Sequence, residues 1–288
     1  MGRDLHTRST ALLKTFPSNS PFFLCQEERT KAGMTSSQPE LYAFPSHDAL
    51  ASSLRSALLE AQTQALSLRG TFRLGVSAGA VPDALAAALL PQPGRSNDEF
   101  DFAKWEVFLA DERAVALYHP DSNFGLLKRT LLDKLPSGPR VHPIDTECLD
   151  DLRELASRYE KCLVDVFTPD KTSVPVFDLL VLGCGPDGHL CSLFPGHPLL
   201  HDENAHVAYI DDSPKPPPRR VTLTMPVITN SRGIIFVVVG SEKSDTLKHV
   251  LDLPSELPSA LVNRKAGSRV RWFADEAALE GVAYPRSN

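Results

Sequence analysis

No stretch of this chain is apolar for long enough to cross a membrane. A span needs ~18 such residues, and the longest candidate, Gly233-Ile-Ile-Phe-Val-Val-Val-Gly240, has the length of a buried strand. Cysteine is sparse. The five present, Cys25, Cys148, Cys162, Cys184 and Cys191, are odd in number, scattered and without a Cys-x-x-Cys pair. That pattern argues for reduced thiols in a cytoplasmic protein and against a disulfide framework or a zinc site. An excess of basic charge is missing too: the formal net charge of −6 argues against a nucleic-acid partner, whose recognition needs a basic face. There is no Gly-x-Ser-x-Gly elbow, which disfavours a serine hydrolase of the α/β-hydrolase type. His197 and His201 are four residues apart, but the prolines and glycine around them argue against a helical metal-ligand pair.

What is present is ordinary globular material, 288 residues of which 42% are hydrophobic and 23% charged. A chain of this length can bury one substantial core. Residues 1–33 mix Arg3, Arg8 and Lys14 with Ser and Thr, and carry Asp4, Glu27 and Glu28 without a clean apolar segment. They read as a disordered extension rather than a secretory signal. Residues 34–288 read as a single domain.

Along that domain, helical and strand patterns alternate. Leu50, Leu54, Leu58, Leu59, Ala61 and Leu66 recur at helical spacing, predicting a helix over His47–Leu68. The strand Thr71–Val76 runs into the small-residue loop Ser77-Ala-Gly-Ala80, and Pro82 suits the first turn of the helix that follows. Further strands are expected at Lys104–Ala110, Val176–Leu182, Val221–Thr224, Ile234–Val239 and Arg269–Phe273. Helices are expected at Asn123–Leu135, Asp150–Phe167, Glu242–Leu251 and Asp275–Leu279. Strands with near-continuous apolar runs, separated by helices, predict a doubly wound α/β fold: a mostly parallel sheet with helices on both faces. Each polar cluster of interest then follows a strand end, where open α/β sheets bind ligands.

Gly183-Cys-Gly-Pro-Asp-Gly188 matches the dinucleotide pattern G-x-G-x-x-G. That pattern requires a helix opening at its third glycine, and Pro195, Gly196 and Pro198 leave room for barely one turn. A nicotinamide-dependent dehydrogenase is disfavoured accordingly. The remaining Asp187-Gly-His189 places an imidazole, able to take a proton near neutral pH, beside a carboxylate that can fix its tautomer. The bland alternative makes Asp187 a cap and His189 a satisfied structural histidine; position in a glycine loop at a strand end favours the functional reading. At Asp111-Glu-Arg113, Arg113 can bind substrate or offset developing negative charge, and Asp111 can serve as an acid/base group or accept from sugar hydroxyls. Glu112 reads equally as a structural ion-pairing residue, and Asp121-Ser-Asn123 as helix-capping chemistry. Phosphate-binding candidates are the loop Ser77, Ala78, Gly79 and Ala80, then Arg219 or Arg220, and Lys243 at another strand-to-helix junction.

These segments, in order and spacing from about Leu41 to Tyr284, closely resemble the 6-phosphogluconolactonases. The pieces that carry the likeness include Gly75-Val-Ser-Ala-Gly-Ala-Val-Pro82, Asp111-Glu-Arg-Ala-Val115, Phe177 to Pro195, Pro217 to Pro226, Gly240-Ser-Glu-Lys243 and Pro258-Ser-Ala-Leu-Val262. The resemblance implies a fold similar to that of glucosamine-6-phosphate deaminase. It implies hydrolysis of 6-phospho-D-glucono-1,5-lactone without metal or organic cofactor. Apart from the resemblance, a monomer or weak homo-oligomer is expected. By position it makes His189 the base that activates water, with Asp187 as its partner. Arg113 and Asp111 lie at the sugar ring, and the Ser77 loop, Arg220 and Lys243 hold the phosphate. One departure stands out: the family commonly reads Ser-Gly-Gly-Ser or Ser-Gly-Gly-Thr where this chain has Ser77-Ala-Gly-Ala80. The hydroxyl lost at Ala80 and the lower tolerance of Ala78 for positive φ predict altered phosphate contacts. Related amino-sugar deaminases share the Asp-Gly-His loop but carry a glutamate five residues beyond the histidine, where this chain has Phe194. A non-catalytic sugar-phosphate sensor on the same fold would carry an additional domain, for which residues 1–33 are too short.

Overall fold

The computed structural model describes residues 38–287, apart from 93, 95, 97, 136 and 168–172. The extension read over residues 1–33, with Cys25, lies outside them. The chain enters through β1 (Glu40–Phe44) and α1 (His47–Arg69). The first half continues through β2 (Phe72–Val76), α2 (Val81–Leu89), β3 (Trp105–Leu109), β4 (Asp111–Arg113), α3 (Asn123–Thr130), β5 (Arg140–His142) and α4 (Leu152–Phe167). The second half comprises β6 (Leu179–Leu182), β7 (Val207–Ile210), β8 (Arg220–Leu223), α5 (Met225–Asn230), β9 (Ile234–Val238), α6 (Ser244–Leu247), α7 (Pro258–Ala266) and β10 (Val270–Asp275).

Seven strands form the central sheet in the order β1-β10-β9-β6-β2-β3-β5, every neighbouring pair parallel. Its central strands β6 (Leu179–Leu182) and β9 (Ile234–Val238) are apolar at every position because both faces are covered. In β6, Leu180 and Leu182 pack into one core with Leu155 and Leu163 of α4, Val227 of α5 and Val262 of α7. Leu179 and Val181 point into the other core with Leu54 and Leu58 of α1 and Leu85 of α2. Each of these leucines is at most 1% exposed, which contributes roughly 1.5–3 kcal/mol per side chain. Helix α1 is bounded as its sequence dictates. Ser46 accepts the amide of Ala49 at its start, and Gly70, at φ 72°, closes it by donating to Leu66 O.

Strand order fixes where a ligand can enter. From β2 the chain moves to β3 and β5 on one side; from β6 it moves to β9 and β10 on the other. The loops after β2 and β6 therefore diverge from neighbouring strands, and the gap between them is the sheet's switch point.

Several elements differ from the sequence expectations. Val221–Thr224 is not a central strand. Its Val221–Leu223 lies in β8, which pairs antiparallel with β4 and β7 in a separate three-stranded sheet, and Thr224 is the N-cap of α5. The chain leaves the large sheet at Leu109, so Asp111–Arg113 is itself a strand rather than a strand end. Asp275–Leu279 is a turn, because the Asp275 carboxylate accepts the Ala278 amide at 2.8 Å while Asp275 itself still pairs with Phe44. The helix expected over Glu242–Leu251 is divided into a 3-10 turn at Ser241–Lys243, α6, and a π-helical turn at Lys248–Asp252.

Candidate active site at the switch point

The loop after β2 and the glycine loop after β6 are tied together by two bonds. Ser77 N donates to Val181 O at 3.1 Å, and Gly183 N donates to Ser77 Oγ at 2.8 Å. Ser77 is thus a joint as well as a lining residue. In the Ser77–Ala80 turn the left-handed conformation falls on Gly79, at φ 72°, and Ala80 is right-handed at φ −75° as it opens α2. The backbone strain expected at Ala78 is therefore absent. The turn keeps the glycine it needs, and its amides stand at the positive end of α2.

The segment after β6 folds back on itself: Gly188 N donates to Gly185 O at 2.9 Å, and Gly185 N to His189 O at 2.8 Å. Gly185 is required here by contact, since a Cβ on it would lie 2.0 Å from His189 Nδ1. His189 Nδ1 is 2.5 Å from Asp187 Oδ1. Beyond it, Leu190 and Leu193 close a tight turn with no helix, which removes the dinucleotide reading. Burial pushes the His189 imidazole below its ordinary pKa; the Asp187 carboxylate opposes this and Lys215 reinforces it. Asp187 loses hydration through burial, yet the hydrogen bond from His189 and the Lys215 ammonium hold it below the usual carboxylate range. The pair is therefore an ionised carboxylate accepting Nδ1–H from a neutral ring, which leaves Nε2 as a base.

Lys215, which the sequence did not point to, and Phe194, singled out there only for the glutamate it replaces, complete this arrangement. Lys215 Nζ lies 3.0 Å from Asp187 Oδ1 and 3.4 Å from His189 Nδ1. The Phe194 ring, 1% exposed, packs against His189 with centroids 4.8 Å apart and carries the Arg220 guanidinium 5.6 Å from its centre. The proline run around Lys215 is held by Arg220, whose Nε donates to Pro217 O at 2.9 Å and Nη2 to Lys215 O at 2.7 Å. Burial, and the charge of Arg113 next, lower the Arg220 pKa, without bringing a guanidinium near neutrality.

Arg113 stands opposite Arg220 in the β4–β8 register. Its Nη1 donates to Asp121 O at 2.8 Å, and its buried Nε has no hydrogen-bond partner among the described residues. Asp111 is buried and accepts from Ser192 Oγ at 2.8 Å. Among the described residues Glu112 has no ion-pair partner. It accepts the amides of Asn123 and Phe124, both at 2.7 Å, and the Ser122 hydroxyl, so it caps α3 and belongs to the scaffold. Ser122 adds the expected N-cap by accepting the Gly125 amide at 3.0 Å. Arg219 turns away to Asp150 O, which leaves Arg220 as the arginine at the site.

Ser77, Ala78, Gly79, Ala80, Asp111, Arg113, His189, Arg220 and Lys243 all line one cleft of about 240 Å³, with Asp187 behind His189. Lys243 is positioned through its loop: Gly240 N donates to the Asp275 carboxylate, and Thr246 Oγ1 bonds Pro186 O beneath the histidine loop. A profile described as glucosamine-6-phosphate isomerases/6-phosphogluconolactonase matches residues 45–272.

The chain belongs to this family.

Within it, a 6-phosphogluconolactonase from Rattus norvegicus is 44% identical over 246 residues, covering 84% of this chain and 93% of its own. The structure of 6-phosphogluconolactonase from Trypanosoma brucei superposes with a TM-score of 0.73 at 26% identity, covering 85% of this chain and 99% of that one. A monomeric glucosamine-6-phosphate deaminase shares the family fold at 18% identity with a TM-score of 0.66, covering 84% and 99% of the two chains. The fold expected from the sequence resemblance is the one observed.

Proposed function

We propose that the protein hydrolyses 6-phospho-D-glucono-1,5-lactone to 6-phospho-D-gluconate in the oxidative pentose phosphate pathway. The observation that carries this reading is the neutral His189, oriented by ionised Asp187 and backed by the apolar ring of Phe194. His189 Nε2 takes a proton from the water that attacks the lactone carbonyl. Arg113 offsets the charge of the tetrahedral oxyanion, and Asp111 receives a sugar hydroxyl. As the carbon–ring-oxygen bond breaks, the proton passes from His189 to the departing oxygen. The phosphate rests on the Ser77–Ala80 amides, Arg220 and Lys243, far enough from the carbonyl to orient the ring for attack. Four cations, Arg113, Arg220, Lys243 and Lys215, against Asp111 and Asp187 suit a dianionic substrate on a chain of net charge −6.

Phe194 separates this chemistry from deamination. Ring opening of an amino sugar needs a second carboxylate at the histidine, besides the one Asp187 supplies, and the buried phenyl ring that stands in that place, 4.8 Å from the imidazole, cannot move a proton. The reaction as drawn needs no metal ion or organic cofactor. On the same reading the protein is cytoplasmic and works as a monomer or weak homo-oligomer; no described helix is long and apolar enough to cross a membrane. Lactone hydrolysis by the purified protein, corrected for spontaneous opening and run beside deamination of glucosamine 6-phosphate, tests the assignment. Hydrolysis alone is expected; deamination alone would reverse it.

A further inference from the structure

Away from the cleft, three side chains from separate elements meet at the edge of the large sheet. Cys162 of α4 has its Sγ 3.4 Å from Nδ1 of His142 on β5, and Nε2 of the same ring is 2.5 Å from Glu106 Oε2 on β3. The ring plane is fixed by Phe108, stacked on it at 4.3 Å and 7°. A carboxylate at 2.5 Å draws the ring proton to Nε2, which leaves the Nδ1 lone pair directed at the thiol. Cys162 is half-buried and lines an open groove of about 440 Å³ with Tyr159, Lys161, Arg158 and Asp165, so a small reagent can reach the sulfur. The other three described cysteines, Cys148, Cys184 and Cys191, are buried, and none has an imidazole nitrogen against its sulfur among the described bonds.

We infer that Cys162, His142 and Glu106 form a base-assisted thiol, a modification site for small electrophiles and hydroperoxides that is separate from the cleft. Burial, then the carboxylates of Asp165 and Glu106, push the Cys162 thiol up against the pull of Lys161. A free thiolate is therefore scarce, and the sulfur attacks as a thiolate formed by passing its proton to His142 Nδ1, 3.4 Å away. With an alkyl iodide the sulfur–carbon bond forms as carbon–iodine breaks; iodide leaves with the bonding pair and the thiol proton goes to Nδ1. With a hydroperoxide the sulfur attacks oxygen and the O–O bond breaks. The sulfur is oxidised by two electrons to sulfenic acid, and the departing oxygen leaves as water or alcohol with the proton that His142 received.

The test is alkylation of the native protein with iodoacetamide near neutral pH, read peptide by peptide by mass spectrometry. Cys162 is expected to label about tenfold or more faster than Cys148, Cys184 and Cys191, and faster than free glutathione under the same conditions. His142→Gln and Glu106→Gln are each expected to slow Cys162 by about tenfold while the other three cysteines keep their rates, which also reports that the variants are folded. Dimedone trapping after hydrogen peroxide should find sulfenic acid at Cys162. Labelling of Cys162 slower than glutathione, or unchanged in folded His142→Gln and Glu106→Gln, would overturn the inference.

Discussion

Gly185 shows how closely the histidine is seated. No alanine Cβ fits 2.0 Å from the imidazole, so Gly185→Ala must rotate His189 away from Asp187. Its kcat should fall about 10²-fold or more with circular dichroism unchanged, since a misplaced base loses most of its contribution. Lys215 has a more specific signature. Its cation helps keep His189 protons off, so Lys215→Met should raise the His189 pKa. A base must be neutral to act. The acid limb of the kcat/KM–pH profile, expected below the ordinary histidine range in the parent, should therefore move to higher pH in the variant. Profiles recorded on both proteins check the sign. The sequence exposed His189 and Asp187 because they are two residues apart in a glycine loop. It hid Lys215, whose partner is 28 residues away and whose own surroundings, Pro214-Lys-Pro-Pro-Pro218, carry no helix or strand pattern. Ala78 looked like a defect beside the glycine the family commonly has there, although the turn needs its left-handed residue one place later, at Gly79.

Among the elements, α3 and the small sheet determine where Arg113 points. Glu112 is 1% exposed and accepts two α3 amides as well as the Ser122 hydroxyl, while Arg113 donates to the carbonyl of Asp121 just before that helix. Glu112→Ala would strand those donors in a buried site, at a cost of about 1–3 kcal/mol for each group left unsatisfied. Denaturant unfolding should register the loss, together with a rise in KM as the Arg113 strand loosens. Stability equal to the parent would show that Glu112 does not hold α3. Central strands such as Leu179–Leu182 were legible because burial on both faces demands an unbroken apolar run. The pairing of β4 with β8 was not. It joins Asp111–Arg113 to residues more than a hundred positions later, and three- or four-residue strands carry too little periodicity to announce a partner.

For the molecule as a whole, the switch point between β2 and β6 is what converts separate loops into one cleft. Residues 34–288 are proposed as the working domain, the observed sheet beginning at Glu40 and the family match at residue 45. A chain starting at Met34 should retain the kcat/KM of the full protein, checked by side-by-side initial rates. The alternation of strands and helices made the parallel sheet foreseeable, and the rule that ligands bind beyond strand ends made the crevice foreseeable as well. The antiparallel sheet that brings Arg113 opposite Arg220 came only from tertiary contact.

In the proposed reaction neutral His189 removes the proton from the attacking water. The most direct test of this step is the initial rate of 6-phosphogluconolactone hydrolysis by His189→Ala, measured over the spontaneous blank, alongside the variant's affinity for 6-phosphogluconate. The expected result is a catalysed rate lower by about 10²–10⁴-fold with product affinity close to the parent's, because the phosphate contacts are untouched. Near-parental hydrolysis by that variant would contradict it.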